Sequence, residues 1–487
     1  MRTSVFALAA SLAALASAKE KAVDMRVKAE LYDNGARHEH IMALKHQTWA
    51  ELDAAGVYDS TQYKKFPSSK LDYVPCKKGY ASYVANDPKY TFRCNNLDLY
   101  DFKTHAELGS GSGRGAGSWG WTSPKGREFV AIAQEDGTAF AEVTKKGKLV
   151  YLGRLPQYTT AAPSLWREIK GYKSYILIGS EAVNHGVQIF DLAKLQNVDP
   201  KNPKVFTNEE DLDGWWNEGL PVGRSHNVVT NEEKKYGVAV GFQPRTGPLK
   251  AGLVFFDLTD PKNPKTLGGS GEDGYVHDAQ CIVYRGPDRK YYGKDICYGY
   301  DEDSLTIFDV TDKQSIRIIS NTSYEGASYT HQGWVLDPNW QKYLILDDEY
   351  DEYNAAGLGA DGYPITYIWD ITSLENPKQT GHYKGLRRGI DHNQFVHNGF
   401  SYQSNYGLGL SILDLRSVPF DPTGKRIKEV AYFDVHPEDD DAPGGGNVTF
   451  TGTWSHYPFF PSGYIVINTM DRGAFVVKRT PASWWPF

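Results

Sequence analysis

The feature that most constrains the fold is a repeated strand motif. Each copy is a short apolar run that ends in Asp and leads into a polar turn, often with Asn-Pro. Clear copies end at Asp191, Asp257, Asp309, Asp370 and Asp414, at spacings of 44 to 66 residues. Alternation of apolar with small or polar residues predicts strands rather than helices. Irregular repeats of this length are more typical of propeller blades with variable loops than of a stacked solenoid.

Two further strands precede each motif, and the first of them carries Trp or His. These first strands are SWGWT (118–122), SLWREI (164–169), SHNVVT (225–230), VHDAQCIVY (276–284), THQGWVL (330–336), DHNQFVH (391–397) and TWSHYP (453–458). The sequence therefore predicts an all-β fold, a β-propeller of seven blades, with eight as the alternative. LDLYDF (97–102) has no blade of its own. We expect an N-terminal strand to complete the last blade and close the ring.

The N-terminal region divides into two predicted segments. Residues 1–18, MRTSVFALAASLAALASA, combine one Arg, an apolar middle and an Ala-Ser-Ala end, the pattern of a secretory signal peptide. Residues 19–72 contain a helix-like stretch and are expected to form a helical extension packed on the propeller of residues 73–480. We expect no membrane span and no hydrophobic anchor tail. The protein is thus predicted to be secreted and extracellular, with glycosylation sequons at Asn321 and Asn447.

Cysteine content agrees with an oxidising compartment. Four cysteines allow three pairings, of which the nearest-neighbour one joins Cys76 to Cys94 and Cys281 to Cys297. The latter pair flanks two predicted strands and a Gly-Pro-Asp turn, which suits a cross-strand bond. Zinc binding is the alternative, but no Cys-x-x-Cys spacing is present.

Composition limits the classes of partner. With 40% apolar and 23% charged residues, the chain can bury a large core and is not disordered. Its 53 Lys and Arg against 60 Asp and Glu give a net charge of −7, without a long basic run. Nucleic acid is therefore excluded as an expected partner, because phosphate binding requires clustered cations. We expect a monomer.

The motifs, taken in order, resemble a known family. The series SHNVV, HDAQCIVYRGPD, DICYGYDEDSLTIFDVTD, YTHQGWV, LDDEYDE, TYIWDIT, DHN, NYGLGLSILDL and GTWSHYP is similar to the LVIVD-repeat, or choice-of-anchor B, family of secreted propeller proteins. The resemblance covers roughly residues 73–478. It implies a β-propeller in an extracellular setting and implies little about activity.

Histidines on or beside the first strands form the main candidate site. They are His226, His277, His331, His392 and His456, with Asp391 as an adjacent carboxylate. The first strand of a blade lines the central channel, so these side chains could converge on one axis. Imidazoles with nearby carboxylates suit zinc, copper, iron or manganese. The alternative is a hydrogen-bonded polar network that merely fills the channel.

Acidic loops offer a second candidate. Runs at 301–303, 347–352 and 438–441 carry clustered Asp and Glu, the oxygen ligands that calcium prefers. They have no EF-hand spacing, and charge runs are usually solvated. The expected cofactor is therefore a divalent metal, either a transition metal in the channel or calcium at an acidic rim.

The leading functional hypothesis is a metal-assisted or acid–base enzyme, a lyase or hydrolase, that acts on extracellular carbohydrate. His331 and His392 would be its catalytic bases or ligands, while Arg388, or Arg224 or Arg387, would neutralise a uronate carboxylate. The alternative is a non-catalytic extracellular propeller that binds a cell-surface ligand. A redox metalloprotein with copper or iron is a third possibility.

Overall fold

The structure is a computed structural model, and it describes residues 20–67 and 73–480. Within these ranges the strands form seven sheets, each with four strands as its basic unit. The prediction of a seven-bladed β-propeller is confirmed, and the eight-bladed alternative is wrong. The predicted signal peptide, residues 1–18, lies outside the described residues.

The strands of each blade follow one another from the channel outward. Those of blades 1 to 4 are Gly115–Thr122, Glu128–Gln134, Gly137–Val143 and Leu149–Pro156; Arg167–Tyr172, Tyr175–Ser180, Val187–Asp191 and Gly214–Trp216; Asn227–Asn231, Tyr236–Val240, Leu253–Asp257 and Thr266–Ser270; Asp278–Val283, Asp295–Tyr300, Leu305–Asp309 and Arg317–Tyr324. Those of blades 5 to 7 are Thr330–Val335, Tyr343–Asp348, Ile365–Asp370 and Lys378–Lys384; Asn393–His397, Phe400–Ser404, Leu410–Asp414 and Lys428–Phe433; Thr453–Tyr457, Tyr464–Thr469, Gly473–Arg479 and Leu97–Thr104.

The repeated motif has a local structural cause. Its Asp ends the third strand of a blade, and one carboxylate oxygen accepts a hydrogen bond from the backbone N–H two residues later. The bond lengths are 2.7 Å at Asp257, 2.8 Å at Asp370 and 3.0 Å at Asp414. Such an Asx turn reverses the chain towards the fourth strand. The motif therefore specifies where each outer hairpin begins.

Aromatic residues just before this Asp pack between blades. The Phe190 ring of blade 2 stacks on Phe140 of blade 1 at 4.5 Å between centroids. The Phe256 ring of blade 3 stacks on Trp216 of blade 2 at 4.3 Å. All four rings are at most 2% exposed. Because each sheet is covered on both faces by its neighbours, the core is a ring of inter-blade layers around the channel.

The ring closes through a strand from the N-terminal side. Leu97–Thr104 pairs antiparallel with Gly473–Arg479 and forms the outer strand of blade 7. The first strand of every blade also packs against those of both neighbours, including blade 7 against blade 1. Closure therefore pairs the outer edge of Gly473–Arg479 and gives blade 7 the same four strands as the other blades.

Short elements extend three of the blades. Glu20–Lys21 pairs with the outer strand of blade 4, and Lys204–Val205 with that of blade 1. A hairpin of Tyr80–Ser82 and Thr91–Asn95 joins blade 6. Disulfides join Cys76 to Cys94 and Cys281 to Cys297, as the nearest-neighbour pairing predicts.

Helices are concentrated in the N-terminal extension. Met25–Val27 leads into a π-helical segment, Lys28–Asp33, and then into the long helix Ala36–Ala54, here called the capping helix. Short 3-10 segments occur at Ser60–Gln62, Pro88–Tyr90, Leu192–Asn197 and Gly357–Gly359. None of the helices in the described ranges is long and apolar enough to cross a membrane.

Candidate metal centre

Four of the predicted histidines form a continuous arc in the channel. His226, His277, His331 and His392 occupy equivalent places at the start of the first strands of blades 3 to 6, and we call them the imidazole row. Successive ring centroids are 4.2, 4.1 and 4.6 Å apart. Their side chains lie side by side because each blade repeats the same backbone position around the axis. All four residues are buried, with at most 6% exposure.

Backbone contacts orient two of these rings. His277 Nδ1 lies 2.9 Å from the carbonyl oxygen of His331, and His392 Nδ1 lies 2.7 Å from that of Trp454. A carbonyl can only accept, so a neutral ring that bonds to it donates from Nδ1 and carries its lone pair on Nε2; at His392 the Asn393 side-chain nitrogen also lies 3.0 Å from Nδ1. That tautomer is the one in which Nε2 binds a metal.

The remaining predicted residues are not part of the imidazole row. His456 is two positions beyond Trp454, which takes the place of the imidazole in blade 7, and its Nδ1 lies 2.7 Å from Ser404 Oγ. Asp391 is buried beside His392 but makes no hydrogen bond through its carboxyl group within the described residues. Arg388 lies in the loop before blade 6, where its backbone N–H donates to Gly444 O at 3.0 Å.

The other two candidate arginines have carboxylate partners. Arg387 makes two bonds to Glu429, of 3.0 and 2.9 Å, and Arg224 contacts Glu181 at 3.1 Å. Arg387 and Arg224 are therefore already paired with carboxylates and are not free to neutralise a uronate.

A carboxylate completes a three-residue donor set, the His–Glu centre. One donor atom each of His331, Glu349 and His392 lies within 4.8 Å of the other two. His392 Nε2 is 3.7 Å from Glu349 Oε1, and His331 Nε2 is 3.9 Å from Oε2. Ligands about 2.1 Å from a tetrahedral ion are themselves about 3.4 Å apart. The set is therefore close to coordination geometry.

Glu349 holds its place through contacts with two other parts of the chain. Its Oε1 accepts hydrogen bonds from the Lys45 ammonium of the capping helix, at 2.6 Å, and from the Tyr406 hydroxyl. Its Oε2 has no hydrogen-bond partner within the described residues. Tyr406 is fully buried and has a φ of 43°, a left-handed conformation that a non-glycine residue adopts only when its surroundings enforce it.

Burial and charge set the protonation states of the centre. Burial alone would raise the pKa of Glu349, but Lys45, His331 and His392 lower it to about 2. Burial lowers the pKa of His392 to about 4 and that of His331 well below its ordinary value. At neutral pH the centre therefore consists of a carboxylate and two neutral imidazoles, the forms that ligate metals.

The centre is surrounded by more carboxyl groups than positively charged groups. Asp347, Asp348, Asp351, Glu352 and Asp391 are each at most 4% exposed. Burial, followed by the mutual repulsion of these groups, raises the pKa of Asp391 well above its usual range. A buried charge is expensive unless it is paired, so these carboxyl groups either hold protons or balance the charge of a cation.

An open cleft runs beside the row. It has a volume of about 430 Å³ and lies between the capping helix and blades 1 to 3, lined among others by His46, Trp166, Glu181 and Arg224. Glu181 Oε1 is 2.6 Å from His226 Nδ1, at the end of the row farthest from Glu349. The cleft thus reaches Glu181, the partner of the first imidazole, and its lining includes no residue of the His–Glu centre.

Sequence reasoning missed Glu349 and Lys45 as parts of this site. Glu349 belongs to the acidic run 347–352, which the sequence assigned to a separate calcium rim. The sequence does contain a pattern that distinguishes the imidazole row from His456. In blades 3 to 6 the His is followed by Asn, Asp or Gln, whereas His456 is followed by Tyr. Lys45 carried no comparable signal, since it lies on a helix 304 residues from its partner.

Comparison with known proteins assigns neither a family nor a function. No family model matches the chain, and no curated protein matches it, so the resemblance to the LVIVD-repeat family stays a prediction. Similar solved structures include the β-propeller domain of Myceliophteria thermophila Cps50 (Swd1), with 11% identity, a TM-score of 0.42, and coverage of 74% of this chain and 96% of that one. The computationally designed Ika8 protein has 9% identity, a TM-score of 0.43, and coverage of 85% and 98%.

Proposed function

We propose that this protein is a secreted β-propeller that holds one divalent transition-metal ion in its channel, with His331, Glu349 and His392 as ligands. The observation that carries the proposal is the convergence of their three buried donor atoms within 4.8 Å. The two disulfides are compatible with an extracellular protein.

The donor set narrows the choice of metal. Two imidazoles and one carboxylate suit Zn²⁺, Fe²⁺, Cu²⁺ or Mn²⁺ and leave at least one coordination position for water or a small molecule. His392 has its other ring nitrogen fixed by a backbone carbonyl, as metal-bound histidines usually do.

The His–Glu centre is enclosed, and this limits which molecules can reach it. The three ligand residues are 1 to 3% exposed, and the capping helix contacts Glu349 directly through Lys45. A polysaccharide chain cannot reach such a site while the helix is in place. Enclosure therefore favours a site in which a tightly held ion contacts only small molecules. It argues against the carbohydrate lyase or hydrolase suggested by the sequence.

The test is metal analysis of the purified mature protein together with two double variants. We expect about one transition-metal ion per chain in the wild type and a loss of at least tenfold in His331→Ala/His392→Ala. The matched control is His40→Ala/His397→Ala, which removes two histidines outside the row and should keep the metal. Circular dichroism checks that every variant is folded.

Two results would overturn the proposal. One is a folded wild type that takes up no Zn²⁺, Fe²⁺, Cu²⁺ or Mn²⁺ after chelation and controlled reloading. The other is equal metal content in His331→Ala/His392→Ala and the control variant.

A further inference from the structure

The two glycosylation sequons lie in very different surroundings in the folded chain. Asn321 is partly buried in the outer strand of blade 4, Arg317–Tyr324, whereas Asn447 is exposed in the loop between blades 6 and 7. Both have the Asn-x-Ser/Thr pattern, so the pattern alone does not separate them. Because an N-linked glycan is bulky and needs solvent around it, the folded structure does.

The side-chain nitrogen of Asn321, the atom that would carry a glycan, is part of a buried polar contact. It donates a hydrogen bond to Asp273 Oδ1. The other oxygen of Asp273 accepts a bond of 2.6 Å from the Thr306 hydroxyl, and Oδ1 lies 3.6 Å from the buried Lys28 ammonium. A sugar on this nitrogen would break the contact with Asp273 or the packing around it.

The rest of this sequon is also covered. Ser323 Oγ donates to Asp303 O at 2.7 Å, and the short strand Glu20–Lys21 pairs with Tyr324 and Ser323. The sequon thus belongs to the seam between the N-terminal extension and blade 4. A chain glycosylated at Asn321 before folding could not complete this seam, so folded molecules should lack a glycan there.

The Asn447 side chain, in contrast, points away from its fixed backbone. Its backbone N–H donates to Asp439 Oδ2 at 3.0 Å, while its side chain is exposed and makes no hydrogen bond within the described residues. The next residue, Val448, packs against the hydrophobic cluster that contains Trp49 and Phe450. The loop is therefore anchored on both sides of an amide group that remains open to solvent.

We propose that Asn447 carries an N-linked glycan and that Asn321 carries none, which rests on the secretion in the proposed function. In the transfer, Asn447 Nδ2 attacks the anomeric carbon of a lipid-linked pyrophosphoryl oligosaccharide. The N–C bond forms, the bond from that carbon to the pyrophosphate oxygen breaks, and the amide proton leaves with the released lipid pyrophosphate. The glycan stands three residues before Phe450, which accepts the Trp49 hydrogen bond, and hence beside the capping helix.

The experiment maps glycans on the full chain secreted from eukaryotic cells. Enzymatic removal of N-glycans in heavy-oxygen water converts each glycosylated Asn to a labelled Asp, which peptide mass spectrometry detects. We expect the label at Asn447 and none at Asn321, and the intact mass should fall by one N-glycan.

Variants of the sequon hydroxyl assign the glycan without changing either asparagine. Thr449→Ala destroys the Asn447 sequon and leaves that of Asn321 intact, so the protein should be secreted without any N-glycan. Thr449→Ser, the matched control, rebuilds an Asn-Val-Ser sequon and should keep the glycan. Circular dichroism checks that both variants are folded.

Two results would overturn the proposal: a labelled Asn321 in secreted protein, or a glycan that persists in Thr449→Ala. A secreted wild type without a label at Asn447 would overturn it as well. A second arm replaces residues 1–18 by a foreign signal peptide. If only that chain is secreted and labelled at Asn447, the proposed secretion is refuted while the choice between the two sequons stands.

Discussion

Lys45 places an ammonium group on the carboxylate that the proposed transition metal requires. The residue is 4% exposed, and its Nζ is 2.6 Å from Glu349 Oε1. A buried ion pair of this kind keeps Glu349 ionised in the absence of a metal. An incoming cation is therefore repelled by the Lys45 ammonium and competes with it directly when it binds Oε1.

Replacing this lysine should strengthen metal binding. In Lys45→Met we expect the dissociation constant for Zn²⁺ to fall at least tenfold, about 1.4 kcal/mol, because no ammonium competes for Glu349. The metal-free variant should also be less stable than the wild type, since Glu349 loses its partner. Chelator competition measures the affinity, and Lys21→Met, at an exposed position of the extension, is the control. Weaker zinc binding in Lys45→Met would show that the ammonium supports the site.

The structure brings together residues that the sequence analysis placed in two different candidate sites. It placed His331 and His392 in one candidate site and the run 347–352 in another, because a repeat pattern gives blade order but no distances. Glu349 turns inward immediately after its strand ends at Asp348, and only the three-dimensional turn shows this. The histidines were predictable because they repeat; single residues such as Glu349 and Lys45 do not.

At the scale of elements, the capping helix is held by a face that is only half apolar. Its buried residues are His38, Ile41, Lys45 and Trp49. Trp49 Nε1 donates to Phe450 O at 2.8 Å, and the Trp49 ring lies 4.9 Å from that of Trp166. Two polar residues interrupt the apolar stripe, so the sequence predicted a helical extension but not the face by which it binds.

Trp49→Ala should release this helix while the propeller stays folded. Loss of a buried Trp costs about 3 to 5 kcal/mol, enough to open a single peripheral helix. We expect limited proteolysis to cut within residues 36–54 at least tenfold faster than in the wild type. Glu51→Ala, at an exposed position of the same helix, should leave cleavage unchanged. Equal cleavage of Trp49→Ala and wild type would mean that other contacts hold the helix.

For the whole molecule, buried charges determine how stability depends on pH. Burial would raise the pKa of Asp471, but His436 and Arg472 lower it to about 2. Burial would likewise raise the pKa of Glu181, which His226 and Arg224 help lower to about 2. Because both folded-state pKa values lie below the unfolded ones, this stabilisation is complete above the unfolded values and is lost as pH falls towards 2.

The free energy of unfolding should therefore fall steeply between pH 4 and pH 2. Burial lowers the pKa of His456 to about 3, which acts in the same direction because the unfolded chain takes up the proton first. In Asp471→Asn the fall should be smaller by about 2 kcal/mol, measured by denaturant titration at both pH values. Asp312→Asn, at an exposed position, is the control, and equal slopes for Asp471→Asn and wild type would contradict this assignment.

Blade number was predictable because the order of strands repeats along the chain. The Asp turn recurs in five blades, and an aromatic residue precedes it in four of them, whereas Leu413 precedes Asp414. The contacts between the extension and the ring were not, since they depend on single pairs far apart in sequence. Lys28, for example, is 6% exposed at its side chain and forms ion pairs with Asp33 and with Asp273 of the loop before blade 4.

Ring closure has a consequence for synthesis on the ribosome. The strand Leu97–Thr104 leaves the ribosome about 370 residues before its partner Gly473–Arg479. Trp49 likewise precedes its acceptor Phe450 by 401 residues. At about 5 to 20 residues per second, the nascent chain keeps its first strand and helix unpaired for roughly 20 to 80 s. The seventh blade can form only after Gly473–Arg479 has left the exit tunnel, so the ring closes after the strands of the other six blades have been made.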